Sequence, residues 1–114
     1  MRIPWLKWYI SYDEYKYNIW PPYITAGAYI LSRKSLPDLY YASFFTQFLR
    51  FDDVFLGLVA QKAHIRPQHS SEFYFWKKKY SALDYKNVIA SHGYHNPEEL
   101  FDVWQEQKKL GHAW

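Results

Sequence analysis

The sequence contains no cysteine. That excludes disulfide staples and thiolate metal sites and leaves the compartment open. It also lacks any window approaching the roughly 18 apolar residues of a membrane span, and Met1-Arg2-Ile3-Pro4 does not lead into a signal-peptide core, so the chain as written reads as soluble and untargeted. Excess charge is small, a formal +3, and the basic residues are dispersed apart from Lys77-Lys78-Lys79 and Lys108-Lys109. Such runs read as solvated faces, and a dedicated nucleic-acid binder would concentrate charge on one face, so no nucleic-acid partner is expected. There is no internal repeat, low-complexity tract or linker. A length of 114 residues suits one domain with a modest core.

Aromatic residues are abundant, at 23% of the chain, with 12 Tyr, 8 Phe and 6 Trp. A small core cannot bury that many rings, so some must line a surface or cleft. Many fall early, as Trp5, Trp8, Tyr9, Tyr12, Tyr15, Tyr17, Trp20 and Tyr23, without a helix or strand period. This segment is expected to be extended, with a short turn near Asp13-Glu14 and a stiff bend at Pro21-Pro22. Tyr23 to Ser32 is expected to be buried, with Tyr29-Ile30-Leu31 strand-like. A helix follows, capped by Ser32 or Ser35, with Pro37 in its first turn and Leu36, Leu39, Tyr40, Ser43 and Phe44 on its core face.

A second helix is expected from Asp52-Asp53 to about Lys62, with Phe55, Leu58 and Val59 facing inward. Residues 64–69 read as loop or short strand, and Glu72 to Trp76 as a β-prone run. Val88-Ile89-Ala90-Ser91 reads as a buried strand ending in His92. The last helix has the clearest limits: Asn96 caps it, Pro97 opens it, Glu98 and Glu99 meet its positive end, and Lys108 and Lys109 precede Gly111. Leu100, Val103 and Trp104 form its apolar stripe, and Phe101, Leu100, Trp76 and Trp104 are core candidates. Alternation of helices and short strands gives an α/β or α+β class.

On local grounds Asp52-Asp53 reads first as a helix-capping pair, with catalysis as the alternative. A carboxylate at a helix start accepts hydrogen bonds from otherwise unpaired amides and meets the positive end of the helix dipole. One of the pair can serve the backbone and the other can face a cleft as an ionised base.

The blocks Lys7-Trp8-Tyr9-Ile10-Ser11, Trp20-Pro21-Pro22-Tyr23, Gly27-Ala28-Tyr29-Ile30-Leu31-Ser32, Asp52-Asp53-Val54-Phe55-Leu56-Gly57 and Ile89-Ala90-Ser91-His92, in that order, resemble the C-terminal half of the β-1,3-glycosyltransferases. These are the galactosyl- and N-acetylglucosaminyltransferases that extend glycans in the Golgi. Brainiac-type members are the most similar, through Trp-Pro-Pro-Tyr, Thr25-Ala26-Gly27-Ala28, Phe51-Asp52-Asp53 and Val88 to His92. Asp52 stands where most relatives carry Glu, and Ala26 and Ala28 replace glycines. The family's Asp-x-Asp metal motif does not occur in these residues.

The resemblance implies the C-terminal, acceptor-side portion of a GT-A (Rossmann-like) catalytic domain over residues 1–114, with an incomplete sheet, about three helices and the nucleotide-binding half missing. It implies an inverting transfer of galactose or N-acetylglucosamine from a UDP-sugar to a glycan acceptor on lipid or protein. Residence on the lumenal side of the Golgi membrane, through an N-terminal anchor not in this chain, is implied too. Asp53 would be the general base, and Asp52 would cap the helix or bind an acceptor hydroxyl; the pair could also exchange roles or both be structural. His92 would help hold a divalent metal, usually manganese, or be a hydrogen-bonded structural residue. Trp8, Trp20 and Tyr23 would stack on sugar or pack in the core, with Lys7 hydrogen-bonding hydroxyls. Pro22 and Gly27 would shape the acceptor cleft. The 114 residues alone are expected to be inactive, and the rival reading is a non-catalytic carbohydrate-binding or assembly module.

Overall fold

A computed structural model describes residues 2–25 and 27–113; Ala26, one of the two alanines that replace glycines, lies outside them. The described elements are α1 (Leu36–Phe44), α2 (Asp52–Lys62), strand β1 (Phe73–Tyr74), a 3₁₀ turn (Asp84–Asn87), strand β2 (Ala90–Ser91) and α3 (Pro97–Lys109). The result is a small α/β structure with three α-helices, in two compact units. One holds residues 2–25 and 30–68, the other residues 27–29 and 69–113.

In the first unit, Ile10, Tyr15, Leu49 and Val54 form the core, with Trp20, Phe51, Phe55 and Leu58 packed against it. Full burial of a side chain such as Ile10 is worth about 1.5–3 kcal/mol, so the aromatic N-terminal segment is anchored there. The rest of that segment is held by polar contacts. Ser11 and Glu14 form a reciprocal pair in which the Ser11 N–H donates to Glu14 Oε2 and the Glu14 N–H donates to Ser11 Oγ; this makes the turn expected at Asp13-Glu14. The Arg2 guanidinium donates to the carbonyls of Ile10, Ser11, Tyr15 and Tyr17 at 2.6–2.8 Å.

Helix α2 begins and ends where the sequence indicates. It closes on a turn in which the His64 N–H reaches the Gln61 carbonyl and the Ile65 N–H reaches the Ala60 carbonyl. That turn requires a left-handed residue, and His64 takes it with φ 57°. No strand forms over residues 64–69. Gly57, buried on α2, faces the Pro-Pro bend: a Cβ there would stand 2.6 Å from Tyr23 Cβ and 3.0 Å from the Pro22 carbonyl oxygen.

Two expectations for residues 23–44 are corrected. Tyr29, Ile30 and Leu31 are exposed and form no strand; strands need partners, and the described ladder joins only β1 and β2. Helix α1 buries Leu39 alone, while Leu36, Tyr40 and Phe44 are exposed. The helical spacing is real, but α1 turns one residue per two turns into the core rather than the whole stripe. Its N-cap Ser35 spends its hydroxyl on the Ser32 carbonyl instead of a helix amide.

In the second unit, β1 and β2 pair in parallel, Phe73 with Ala90 and Tyr74 with Ser91. Both strands are shorter than expected, and Ile89, Phe75 and Trp76 are exposed. Helix α3 has the limits read from sequence: Asn96 Oδ1 accepts the Glu98 N–H at 2.8 Å, Pro97 opens it, and Gly111 at φ 73° carries the chain out. Its buried residues, however, are Val103 and Gln107. Leu100, Phe101 and Trp104 are exposed, which corrects their placement in the core along with that of Trp76. The reason is a polar seam. Gln107 Nε2 donates to Tyr80 Oη and to the Ala82 carbonyl, Tyr80 Oη donates to Glu106, and the Tyr85 and Tyr94 hydroxyls lie 2.7 Å apart. A buried amide with such partners is satisfied, so α3 can turn it inward.

Candidate functional site

The start of α2 is where the candidate residues gather. Phe51, in extended backbone, is the helix N-cap and makes no side-chain cap. Asp53 supplies the carboxylate bond to the backbone: its Oδ1 accepts the Val54 N–H at 2.8 Å. Asp52 is exposed and makes no side-chain hydrogen bond among the described residues, so the capping role expected of it is corrected; the backbone-serving acid is Asp53. Asp53 remains half-buried, with Oδ2 not engaged by described residues. Both acids sit in the first turn of α2, at the positive end of the helix dipole.

Aromatic rings assemble beside these acids. Trp8 tilts against Phe51 with centroids 5.7 Å apart, while Trp20 meets Phe51 edge-on at 6.3 Å and lies 4.5 Å from Tyr15. Trp8 is 56% exposed; Trp20 is half-buried and packed on the core. Of the two, Trp8 has the freer ring surface. Lys7 is exposed and places Nζ 4.7 Å from the Trp8 ring centroid, in reach of anything lying along it.

Asp53 and Gly57 are four residues apart, hence on one face of α2. Because Pro22 and Tyr23 pack against Gly57, they border the face that carries Asp53. Pro22 and Tyr23 are exposed while Pro21 is buried, which fits a wall with one proline rooted and the next residues presented. The sequence blocks Trp-Pro-Pro-Tyr and Asp-Asp-Val-Phe-Leu-Gly are thereby one structural feature, joined at a glycine.

His92 and Gly27 belong to the second unit. The imidazole stacks on Phe75 at 5.9 Å and 9°, and a Cβ on Gly27 would lie 3.3 Å from its Cδ2. The backbone N–H of His92 extends the β ladder to the Tyr74 carbonyl. The ring is exposed, and its nitrogens make no hydrogen bond among the described residues. No three His, Asp or Glu side chains converge as metal ligands among the described residues, so they do not fit a manganese site on their own.

Two contributors were not singled out by sequence. Phe51 is the ring on which both tryptophans rest; its place directly before the acid pair was the available signal. Arg2 organises the segment carrying Lys7 and Trp8, and an isolated basic residue gives no such signal. Glu14, tied to Ser11, lies 3.5 Å from Arg50; the Ser11 backbone bond, aided by that hydroxyl and by Arg50, holds its carboxyl below the usual range. An exposed pair of this kind contributes little to stability.

Comparison with known proteins bears on the same residues. Residues 2–71 match the family model described as Galactosyltransferase. The chain is 48% identical over 114 residues to the Drosophila melanogaster protein named Beta-1,3-galactosyltransferase brn, covering 99% of this chain and 35% of that protein. It is 34% identical over 106 residues to Beta-1,3-galactosyltransferase 1 of mouse and of human, covering 93% of this chain and 32% of theirs. The chain thus spans about a third of the length of these relatives. No solved structure matches it significantly.

Proposed function

Because the chain belongs to the galactosyltransferase family, we propose that it is the C-terminal, acceptor-side portion of an inverting β-1,3-hexosyltransferase with a GT-A catalytic domain. The donor is UDP-galactose or UDP-N-acetylglucosamine and the acceptor a glycan on lipid or protein. Action on the lumenal side of the Golgi membrane is part of the same reading; no described helix is long and apolar enough to cross a membrane.

The observation that supports this most is the arrangement at the start of α2. Asp53 is held by one oxygen on the Val54 amide, with Trp8 on Phe51 and the Pro22-Tyr23 bend as neighbouring surfaces. In the proposed step, Oδ2 of Asp53 takes the proton of the acceptor hydroxyl as that oxygen forms a bond to the anomeric carbon. The bond from that carbon to the diphosphate breaks, and UDP leaves with its electron pair. One displacement converts an α-linked donor into a β-linked product. A positioned base contributes about 10² to 10⁴ in rate to such a step.

Trp8 receives the apolar face of the acceptor sugar, Lys7 and Asp52 bond its hydroxyls, and Trp20 supports the platform from the core side. Pro22 and Tyr23 shape the cleft beside Asp53, while Gly27 leaves room for the His92 ring within its own unit. His92 is proposed as a single ligand to a divalent cation such as manganese whose other ligands lie outside these residues, and no step above is routed through it.

The reading is tested by offering the full-length protein UDP-galactose and UDP-N-acetylglucosamine with glycolipid acceptors and following β-linked product. Product from either donor supports it. Retained glycan binding without transfer from either would return the chain to a carbohydrate-binding role.

A further inference from the structure

Arg2 binds four backbone carbonyls through one side chain. Nη1 donates to the carbonyls of Ile10 at 2.8 Å and Ser11 at 2.7 Å. Nη2 donates to those of Tyr15 at 2.6 Å and Tyr17 at 2.7 Å. The guanidinium carbon lies 4.0 Å from the centroid of the Tyr12 ring. Guanidinium is planar, stays protonated, and offers five donors in a fixed fork, so one side chain sets the path of residues 10–17.

Those contacts close a loop. Residues 3–9 run between Arg2 and Ile10, which is 1% exposed in the core, and inside the loop the Leu6 and Tyr9 amides bond back to the Ile3 and Leu6 carbonyls. From this loop project Lys7 and Trp8. Trp8 is more than half exposed and rests on one ring, so little besides the closed backbone fixes its orientation.

We infer that Arg2 is a positioning residue for acceptor recognition: its guanidinium staples the loop of residues 3–9 so that the Trp8 face and Lys7 are preset beside the start of α2. This rests on the acceptor-side reading above. Presetting reduces the ordering cost that acceptor binding would otherwise carry, so its loss acts on acceptor affinity more than on the chemical step.

The test compares wild type, Arg2→Met, Arg2→Lys, Trp8→Ala and the double variant in the full-length protein, reading acceptor KM, donor KM and kcat, with hydrogen exchange of residues 3–9. Arg2→Met is expected to raise acceptor KM about tenfold with donor KM unchanged and kcat within about twofold, and to speed exchange in residues 3–9 while α2 stays protected. Arg2→Lys, a point charge with three donors, should recover part of the loss. The double variant should be no worse than Trp8→Ala, because both act on one element. If Trp8→Ala raises acceptor KM and Arg2→Met does not, the Arg2 role is overturned and the acceptor-side reading stands. If Arg2→Met lowers kcat and raises both KM values together, Arg2 is only structural. Absence of transfer by the wild type overturns the acceptor-side reading itself, and this inference with it.

Discussion

A methyl group added at Gly57 would meet the Pro22 carbonyl and Tyr23 at 3.0 and 2.6 Å, and neither the backbone nor a proline-braced bend can yield cheaply. Gly57→Ala is expected to lower stability by about 1–3 kcal/mol, as overpacking does, measured by urea denaturation. At His64 the sign reverses. A non-glycine residue with φ 57° carries a left-handed penalty of roughly 1–2 kcal/mol, partly offset by the extra unfolded-state entropy of glycine. His64→Gly should therefore stabilise by ~0.5–1 kcal/mol in the same assay. The sequence marked the acid pair at the start of α2 because carboxylates before an apolar run have a local cause. Which acid serves the backbone was not legible, since Asp52 and Asp53 offer identical chemistry and only the helix phase separates them. Arg2 was invisible for a related reason: its four acceptors are carbonyls, which every residue carries.

Among the elements, α3 separates what a local pattern can and cannot convey. Its cap, its opening proline and its terminal glycine depend on neighbouring residues and were read directly. Its buried face depends on what lies opposite, and there the apolar stripe Leu100-Val103-Trp104 misled, because the opposing surface offers Tyr80 Oη and the Ala82 carbonyl to Gln107. Gln107→Leu removes the donor and leaves those acceptors without it, so a loss of about 1–3 kcal/mol is expected, again by urea denaturation. The short strands were overextended by β-propensity, which reports fit to a half-buried surface rather than the presence of a partner strand.

The same seam gives a pH dependence. Burial, and then the Tyr85 hydroxyl, push the Tyr94 phenol above its ordinary range. A folded pKa raised above the unfolded one means that stability is fully present below the unfolded value of about 10 and is lost as pH rises beyond it. The melting temperature should fall as the pH rises above about 10, and less so in Tyr94→Phe. An unchanged slope in that variant would assign the alkaline loss to another group.

At the scale of the whole molecule, composition foretold that rings would remain at the surface, and they do: Trp5, Tyr40, Tyr41, Phe44, Phe45, Phe48 and Trp76 are all exposed. The order of the sequence blocks pointed to the family, which the match over residues 2–71 bears out. In the chain as it stands, spanning about a third of its relatives, no described cluster could hold a metal ion. We propose that the 114 residues alone show no UDP-sugar turnover, and manganese-dependent turnover by them would contradict this.

The central claim is that Asp53 is the base of the transfer. Asp53→Asn is the sharpest probe, because asparagine keeps an Oδ1 to accept the Val54 amide and changes only the oxygen assigned to the proton. Initial rates of β-linked product formation by the full-length protein, wild type beside Asp53→Asn at matched thermal stability, should differ by about 10² to 10⁴ in kcat. Equal rates within about threefold, at unchanged stability, would contradict the account.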